Sequence, residues 1–194
     1  MRLALFGGTF DPVHEGHLTL AREARRQFEL DRVLFIPNHR PPHKQSGAQA
    51  SYEDRYRMVE LAVAAEAGFE ASRLEEAEGR SYTIETLLKV RTTLGSEDRL
   101  FFLIGADAYA EVGTWYRWRE VLLLTEFIVV TRPGFAIAEI EGATAHRLET
   151  LALEVSSTEI RRRLRGGEMP RELPAAVARY IIGRRLYESD RRLA

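Results

Sequence analysis

The run Leu3-Ala4-Leu5-Phe6 breaks at once into Gly7-Gly8, and this junction constrains the fold more than any other feature of the chain. Four apolar residues ended by turn residues are too few for a helix but suit a buried parallel strand. The glycines allow backbone angles and close approaches that a side chain would block. After Thr9-Phe10-Asp11-Pro12 a helical period begins, with Leu20, Ala21, Ala24 and Phe28 on one face and His17 one turn earlier. Strand, glycine turn and helix start follow each other directly. A helix N-terminus favours anions through its amides and dipole, and His14 and His17 would add two donors there. The histidines could instead simply cap or pack the helix.

A second apolar run, Val33-Leu34-Phe35-Ile36, ends at Pro37 and completes a strand–helix–strand unit, which implies parallel pairing and a right-handed crossover. Residues 38–50 have no packing period and carry Pro41, Pro42, His43, Lys44 and Gly47. A loop of that length is commonly functional. With nothing apolar to anchor it, it is expected to order when ligand binds. Helical period returns over Tyr52–Ala65, with Met58, Leu61, Ala62 and Ala65 on one face. It recurs from Thr83 to about Leu94, where Ile84, Leu87, Leu88 and Arg91 are in period and Gly95 is the stop. Phe69–Ser72 is a weaker strand candidate. Leu100–Ile104 is the clearest buried strand and runs into Gly105-Ala106-Asp107, which places Asp107 at a carboxyl end, where open α/β sheets bind ligands. Phe127–Val130 leads to Arg132-Pro133-Gly134 at the same edge. Phe135–Arg147 has no clear period. Leu151–Val155 is expected to be the last strand, followed by a helix that Ser156 and Glu159 open as a capping box, with Ile160 and Leu164 buried. Pro174–Tyr187 closes the chain as an amphipathic helix with Val177, Ile181 and Ile182 facing in.

With 194 residues, 45% of them hydrophobic, the chain can bury one sizeable core, expected as a single domain over 1–194 with a C-terminal helical segment from about 156. The net charge of −1 gives no field that steers the molecule to nucleic acid, although ten arginines face six carboxylates within residues 151–194. Cysteine is absent, which excludes thiolate chemistry and disulfides and suits the cytoplasm. Neither a membrane span nor a signal peptide is expected. Homo-oligomerisation is left open. Lys44 and Lys89 are the only lysines. The candidate site groups are donors and cations, without a defensible nucleophile–base pair or metal cage. Such a set suits phosphoryl or nucleotidyl transfer, which needs alignment and charge stabilisation more than covalent chemistry.

The eleven residues Gly7–His17 resemble the nucleotidylyltransferase signature G-G-T/S-F-D-P-x-H-x-G-H, with H-x-G-H as His14-Glu15-Gly16-His17. Ser156-Ser157-Thr158-Glu159-Ile160-Arg161 resembles the second signature of that superfamily, S-S-T-x-I-R. Pro41-Pro42-His43-Lys44, Ser81-Tyr82-Thr83 and Asp107 with Trp115-Tyr116 eight residues on resemble the bacterial nicotinate-nucleotide adenylyltransferases. The resemblance implies a Rossmann-like α/β fold, an open parallel sheet with helices on both faces. It also implies transfer of AMP from ATP to nicotinate mononucleotide, giving deamido-NAD and pyrophosphate, with Mg²⁺ carried by the ATP phosphates. By position, His14, His17, Lys44 and Arg161 would be catalytic. Gly7, Gly8, Thr9, Phe10, Gly105, Asp107, Arg132, Ser156, Ser157 and Thr158 would meet ATP. Trp115 would stack on the pyridine ring, with the amides of Thr83 and Tyr116 on its carboxylate. Two alternatives are an adenylyltransferase acting on pantetheine phosphate and a non-catalytic nucleotide-binding protein on the same fold.

Overall fold

The computed structural model describes residues 1–39, 48–76, 82–151 and 155–188. Its centre is β1 (Arg2–Gly8), which pairs in parallel with β2 (Arg32–Pro37) on one side and β4 (Arg99–Gly105) on the other. Outward from these lie β3 (Phe69–Ala71), β5 (Glu126–Thr131) and β6 (Ala145–Glu149), all parallel, in the order β3-β2-β1-β4-β5-β6. The order reverses between β1 and β4. The carboxyl ends of those two strands therefore diverge into a crevice, the usual ligand position of such sheets.

Side chains alternate along each strand and feed two cores. Ala4 and Phe6 of β1, Phe35 of β2 and Leu103 of β4 join one, and Leu3, Leu5, Ile36 and Ile104 join the other. The first face is covered by α1 (Glu15–Gln27), α2 (Tyr52–Val63), α6 (Ser157–Arg165) and α7 (Ala175–Arg184), which contribute Leu18, Met58, Ile160 and Val177. The second is covered by α3 (Thr83–Arg91), the short α4 (Ala106–Ala110) and α5 (Trp118–Leu124), through Ile84, Tyr109 and Val121. Strands buried on both faces read as continuous apolar runs, which is why β1, β2, β4 and β5 stand out in the sequence.

Three differences from expectation have local causes. The strand β6 begins inside the stretch without a period and runs two residues past it; it gave no signal because it is an edge strand with one deeply buried residue, Leu148. Its neighbour His146 meets Glu126 of β5 at 2.6 Å, a polar cross-strand pair that hides the apolar signal. Of the strand expected over 151–155, residues 152–154 lie outside the described residues. Leu88 and Ile182 fall in helical period with their neighbours but are exposed, since α3 and α7 each touch the core with a narrower stripe. The helix α3 ends at Arg91, earlier than expected, with Arg91 donating from Nε to the Leu124 carbonyl at 2.8 Å.

Candidate active site

The loop from β1 to α1 is held by its own rings. A Cβ on Gly8 would lie 2.9–3.1 Å from the Phe10 ring, so glycine is required there. Phe10 takes φ +48°, a left-handed backbone that costs a non-glycine residue about 1–2 kcal/mol. Burial of its ring offsets that cost: it is 2% exposed and packs edge-on against Phe6 at 5.4 Å and His17 at 5.0 Å. The Gly8 carbonyl accepts the Asn38 amide at 2.9 Å, which ties the loops after β1 and β2 together.

At the start of α1 the two imidazoles stack, with centroids 3.7 Å apart. The His14 amide donates to His17 Nδ1 at 3.2 Å. An accepting Nδ1 carries no proton, so in the neutral ring Nε2 is the protonated, donating nitrogen. Burial lowers His14 to about 4, against a smaller opposing pull from Glu172. Burial also holds His17 well below the usual imidazole range, and His14 adds to that shift. Both rings are therefore neutral near pH 7 without ligand. The backbone here is less available than the sequence suggests. The Glu15 amide donates to the Glu172 carbonyl at 2.8 Å and the His17 amide to the His14 carbonyl at 2.9 Å. An anion arriving at α1 meets imidazole more than open amides.

The second signature reaches the same loop. Ser157 Oγ donates to the Pro12 carbonyl at 3.0 Å, and Arg161 Nη1 donates to the Asp11 carbonyl at 2.6 Å. The expected capping box does not form. Ser156 makes no side-chain cap bond, and Glu159 is paired instead with Arg162 at 2.5 and 2.8 Å. The seryl hydroxyl that matters structurally is Ser157, which docks α6 on the first loop. Ser156 and Thr158 are exposed beside it, and Thr158 Oγ1 accepts from Arg161 Nη2 at 3.3 Å.

Three residues that sequence reasoning left without a role organise this corner. Asp11, 3% exposed, accepts the Gln49 amide at 2.8 Å and the Ala50 amide at 3.1 Å. It also accepts the Tyr187 hydroxyl at 2.7 Å and lies 3.7 Å from Arg161 Nη1. Arg55 of α2, 2% exposed, donates to the Thr9 carbonyl at 2.7 Å. The 38–50 segment is thus anchored at its exit by Asp11 and by buried Ala50, contrary to the expectation of a loop without anchorage. Asp11 was visible within its motif. Arg55 and Tyr187 gave no local signal, because a buried cation in a helix reads as a solvated one until its neighbours are known. Lys44, with Pro41, Pro42, His43 and Ser81, lies outside the described residues.

Across the crevice, Gly105 ends β4 with no atom within 4 Å of where a Cβ would stand, and Asp107 is exposed in α4. Trp115 is half-buried and packs edge-on against Phe102 at 6.0 Å. The Tyr82 and Tyr116 rings lie 4.7 Å apart, which brings the start of α3, where Thr83 sits, beside Trp115-Tyr116. Phe102 also reaches within 3.7 Å of a Cβ placed on Gly7, so β1 borders both sets. Gly7, Gly8, Thr9, Phe10, His14, His17, Ser157 and Arg161 form one group on the α1 side of the sheet edge, and Thr83, Trp115 and Tyr116 form another on the α3 side. Arg132 is exposed beyond β5, two strands from β1, and stands apart from both.

The cytidylyltransferase-like family profile matches residues 5–163, from β1 through Arg161. A protein of Solibacter usitatus described as a probable nicotinate-nucleotide adenylyltransferase is 52% identical over 96% of this chain and 100% of its own length. The chain belongs to the nicotinate-nucleotide adenylyltransferase family. A relative from Bacillus pumilus with the same description is 44% identical over 97% of this chain and 99% of its own. The fold agrees with two solved structures of Plasmodium falciparum nicotinic acid mononucleotide adenylyltransferase. That protein complexed with NaAD gives a TM-score of 0.76 at 18% identity, over 96% of this chain and 97% of that one. Complexed with APC it gives 0.75 at 17% identity, over 96% of each chain. Nicotinate-nucleotide adenylyltransferases are transferases. Among the described residues, no helix is long and apolar enough to cross a membrane.

Proposed function

We propose that the chain transfers AMP from ATP to nicotinate mononucleotide, with ATP phosphates on the α1 side of the crevice and the pyridine on the α3 side. The observation that carries this reading is the convergence of His14, His17 and Arg161 on one loop, neutral imidazoles on one flank and a guanidinium on the other. A phosphate oxygen of nicotinate mononucleotide attacks the α-phosphorus of ATP in line. The new P–O bond forms as the bond to the β-phosphate breaks, and negative charge moves onto pyrophosphate. His17 Nε2–H and Arg161 act where that charge grows, and Lys44 is assigned the same task. Ser156, Ser157 and Thr158 meet the phosphates from the start of α6, where first-turn amides have no intrahelical acceptor. Gly7, Gly8, Thr9 and Phe10 lie along the nucleotide, Gly105 and Asp107 near sugar and base, and Arg132 at the outer rim.

Trp115 stacks on the pyridine ring, and the amides of Thr83 and Tyr116 receive its carboxylate. Among the described residues, no three His, Cys, Asp or Glu side chains gather as a metal-ligand set. A divalent cation, Mg²⁺ by preference, enters with ATP, where its part is to neutralise the phosphates. The shared sheet beneath both cores supports one domain over 1–194, and the lack of cysteine supports a cytoplasmic site of action. The test is pyrophosphate release from ATP with nicotinate mononucleotide, nicotinamide mononucleotide or pantetheine phosphate as acceptor. Release with the first acceptor well above the others is expected; preference for pantetheine phosphate, or none with any, would overturn the reading.

A further inference from the structure

The C-terminal region reaches the loop after β1 at Asp11, through a single buried hydroxyl. Tyr187 stands three residues beyond α7, 8% exposed, and donates to Asp11 Oδ1 at 2.7 Å. Its backbone is left-handed at φ +65°, as is that of Phe10 on the other side of Asp11 at φ +48°. Non-glycine residues persist in that region where surrounding contacts over-determine them, and such sites tend to cluster at functional loops. Burial raises the Tyr187 hydroxyl, and the Asp11 carboxylate raises it further, so it stays a donor throughout the physiological range. The same carboxylate accepts the amides of Gln49 and Ala50, and Arg161 Nη1 is held 2.6 Å from the Asp11 carbonyl. One residue thus fixes the loop after β1, the exit of the 38–50 segment and the guanidinium of α6.

We infer that Tyr187 is a positioning residue for nucleotide binding, acting through Asp11 on Arg161 and on the backbone at Gln49 and Ala50. Without the hydroxyl, Asp11 Oδ1 loses a donor that water cannot readily replace in a buried site. Its carboxylate is then free to turn toward the Arg161 guanidinium 3.7 Å away, which would draw that cation off the phosphates. The inference rests on the proposed placement of ATP beside Arg161.

A matched control exists on α7, just before Tyr187 in the chain. Tyr180 of α7 donates to Asp54 of α2 at 2.9 Å, also a tyrosine–aspartate bond between the C-terminal region and the body of the protein. That bond does not touch the loop after β1. Tyr187→Phe and Tyr180→Phe each remove one hydroxyl and keep the ring, so both should fold. Steady-state kinetics with varied ATP and thermal unfolding are measured for wild type and both variants. Tyr187→Phe should raise KM for ATP roughly five- to tenfold, the size of one lost hydrogen bond, with a smaller change in kcat. Tyr180→Phe should lower the unfolding temperature about as much as Tyr187→Phe does, and leave KM within about twofold. Equal KM effects in the two variants, or no effect in Tyr187→Phe, would overturn the inference while leaving the proposed function intact. An inactive wild type would overturn the proposed function and this inference with it.

Discussion

The rings of His14 and His17 lie 3.7 Å apart and 26° from parallel, with the His14 amide donating to His17 Nδ1. Two imidazoles held this close cannot both take a proton cheaply in a ligand-free site. In the proposed complex the ATP phosphates would oppose that effect, because an anion beside the rings favours the charged form.

The first consequence is a pH dependence of stability. Folding lowers His14 from 6.5 to about 4, so between those values the unfolded chain binds more protons and stability falls as pH falls. The contribution is fully present above the unfolded value and amounts to an order of 3 kcal/mol lost on reaching the lower one. Unfolding temperatures of wild type and His14→Gln from pH 7.5 to 4.5 should diverge in slope, with His14→Gln the flatter. Parallel slopes would mean that burial does not perturb His14.

His17→Ala should reduce turnover by about 10²–10³, the usual loss on removing one preorganised donor to developing charge. Stability should change much less, since α1 is held by Leu18, Leu20, Ala21 and Ala24. Kinetics and thermal unfolding measured together decide the matter. A folded variant with near-normal turnover would remove His17 from the mechanism.

Two glycines should separate steric need from ligand need. In Gly8→Ala the new methyl meets the Phe10 ring at 2.9 Å, and that ring is enclosed on all sides, so a loss of about 1–3 kcal/mol is expected. In Gly105→Ala the methyl meets nothing within 4 Å, and stability should hold or rise slightly while KM for ATP increases several-fold. Unaltered nucleotide binding in Gly105→Ala would place the ligand elsewhere.

Trp115→Ala should weaken use of nicotinate and nicotinamide mononucleotides by similar factors. Stacking on an indole is worth about 1–3 kcal/mol and does not sense whether the ring bears a carboxylate or a carboxamide. In the proposed placement discrimination falls to the amides of Thr83 and Tyr116, which a carboxylate would satisfy and a carboxamide, with its own donors, would not. Comparing kcat/KM for both substrates in wild type and variant checks this. Loss of selectivity with the overall rate spared would refute the arrangement.

From the sequence alone came the parallel core and one side of the site. Strands such as Leu3–Phe6 and Leu100–Ile104 are buried on both faces, so their apolar runs are unbroken, and helix starts are encoded by residues a few positions apart. The pairing of Gly7-Gly8 with His14 and His17 is likewise local, since one turn and one helix start bring them together. The tertiary structure alone decided the rest. An edge strand such as β6 pairs on one side, and its polar residues hide it. The capping box at Ser156 satisfied a local rule, but Arg162 took Glu159, and Ser157 was taken by Pro12, 145 positions earlier. Asp11 and Tyr187 lie 176 positions apart, and nothing in either neighbourhood specifies the partner. Hydrogen bonds of that span depend on where a whole chain places two groups, whereas strands and helix starts depend on the residues beside them.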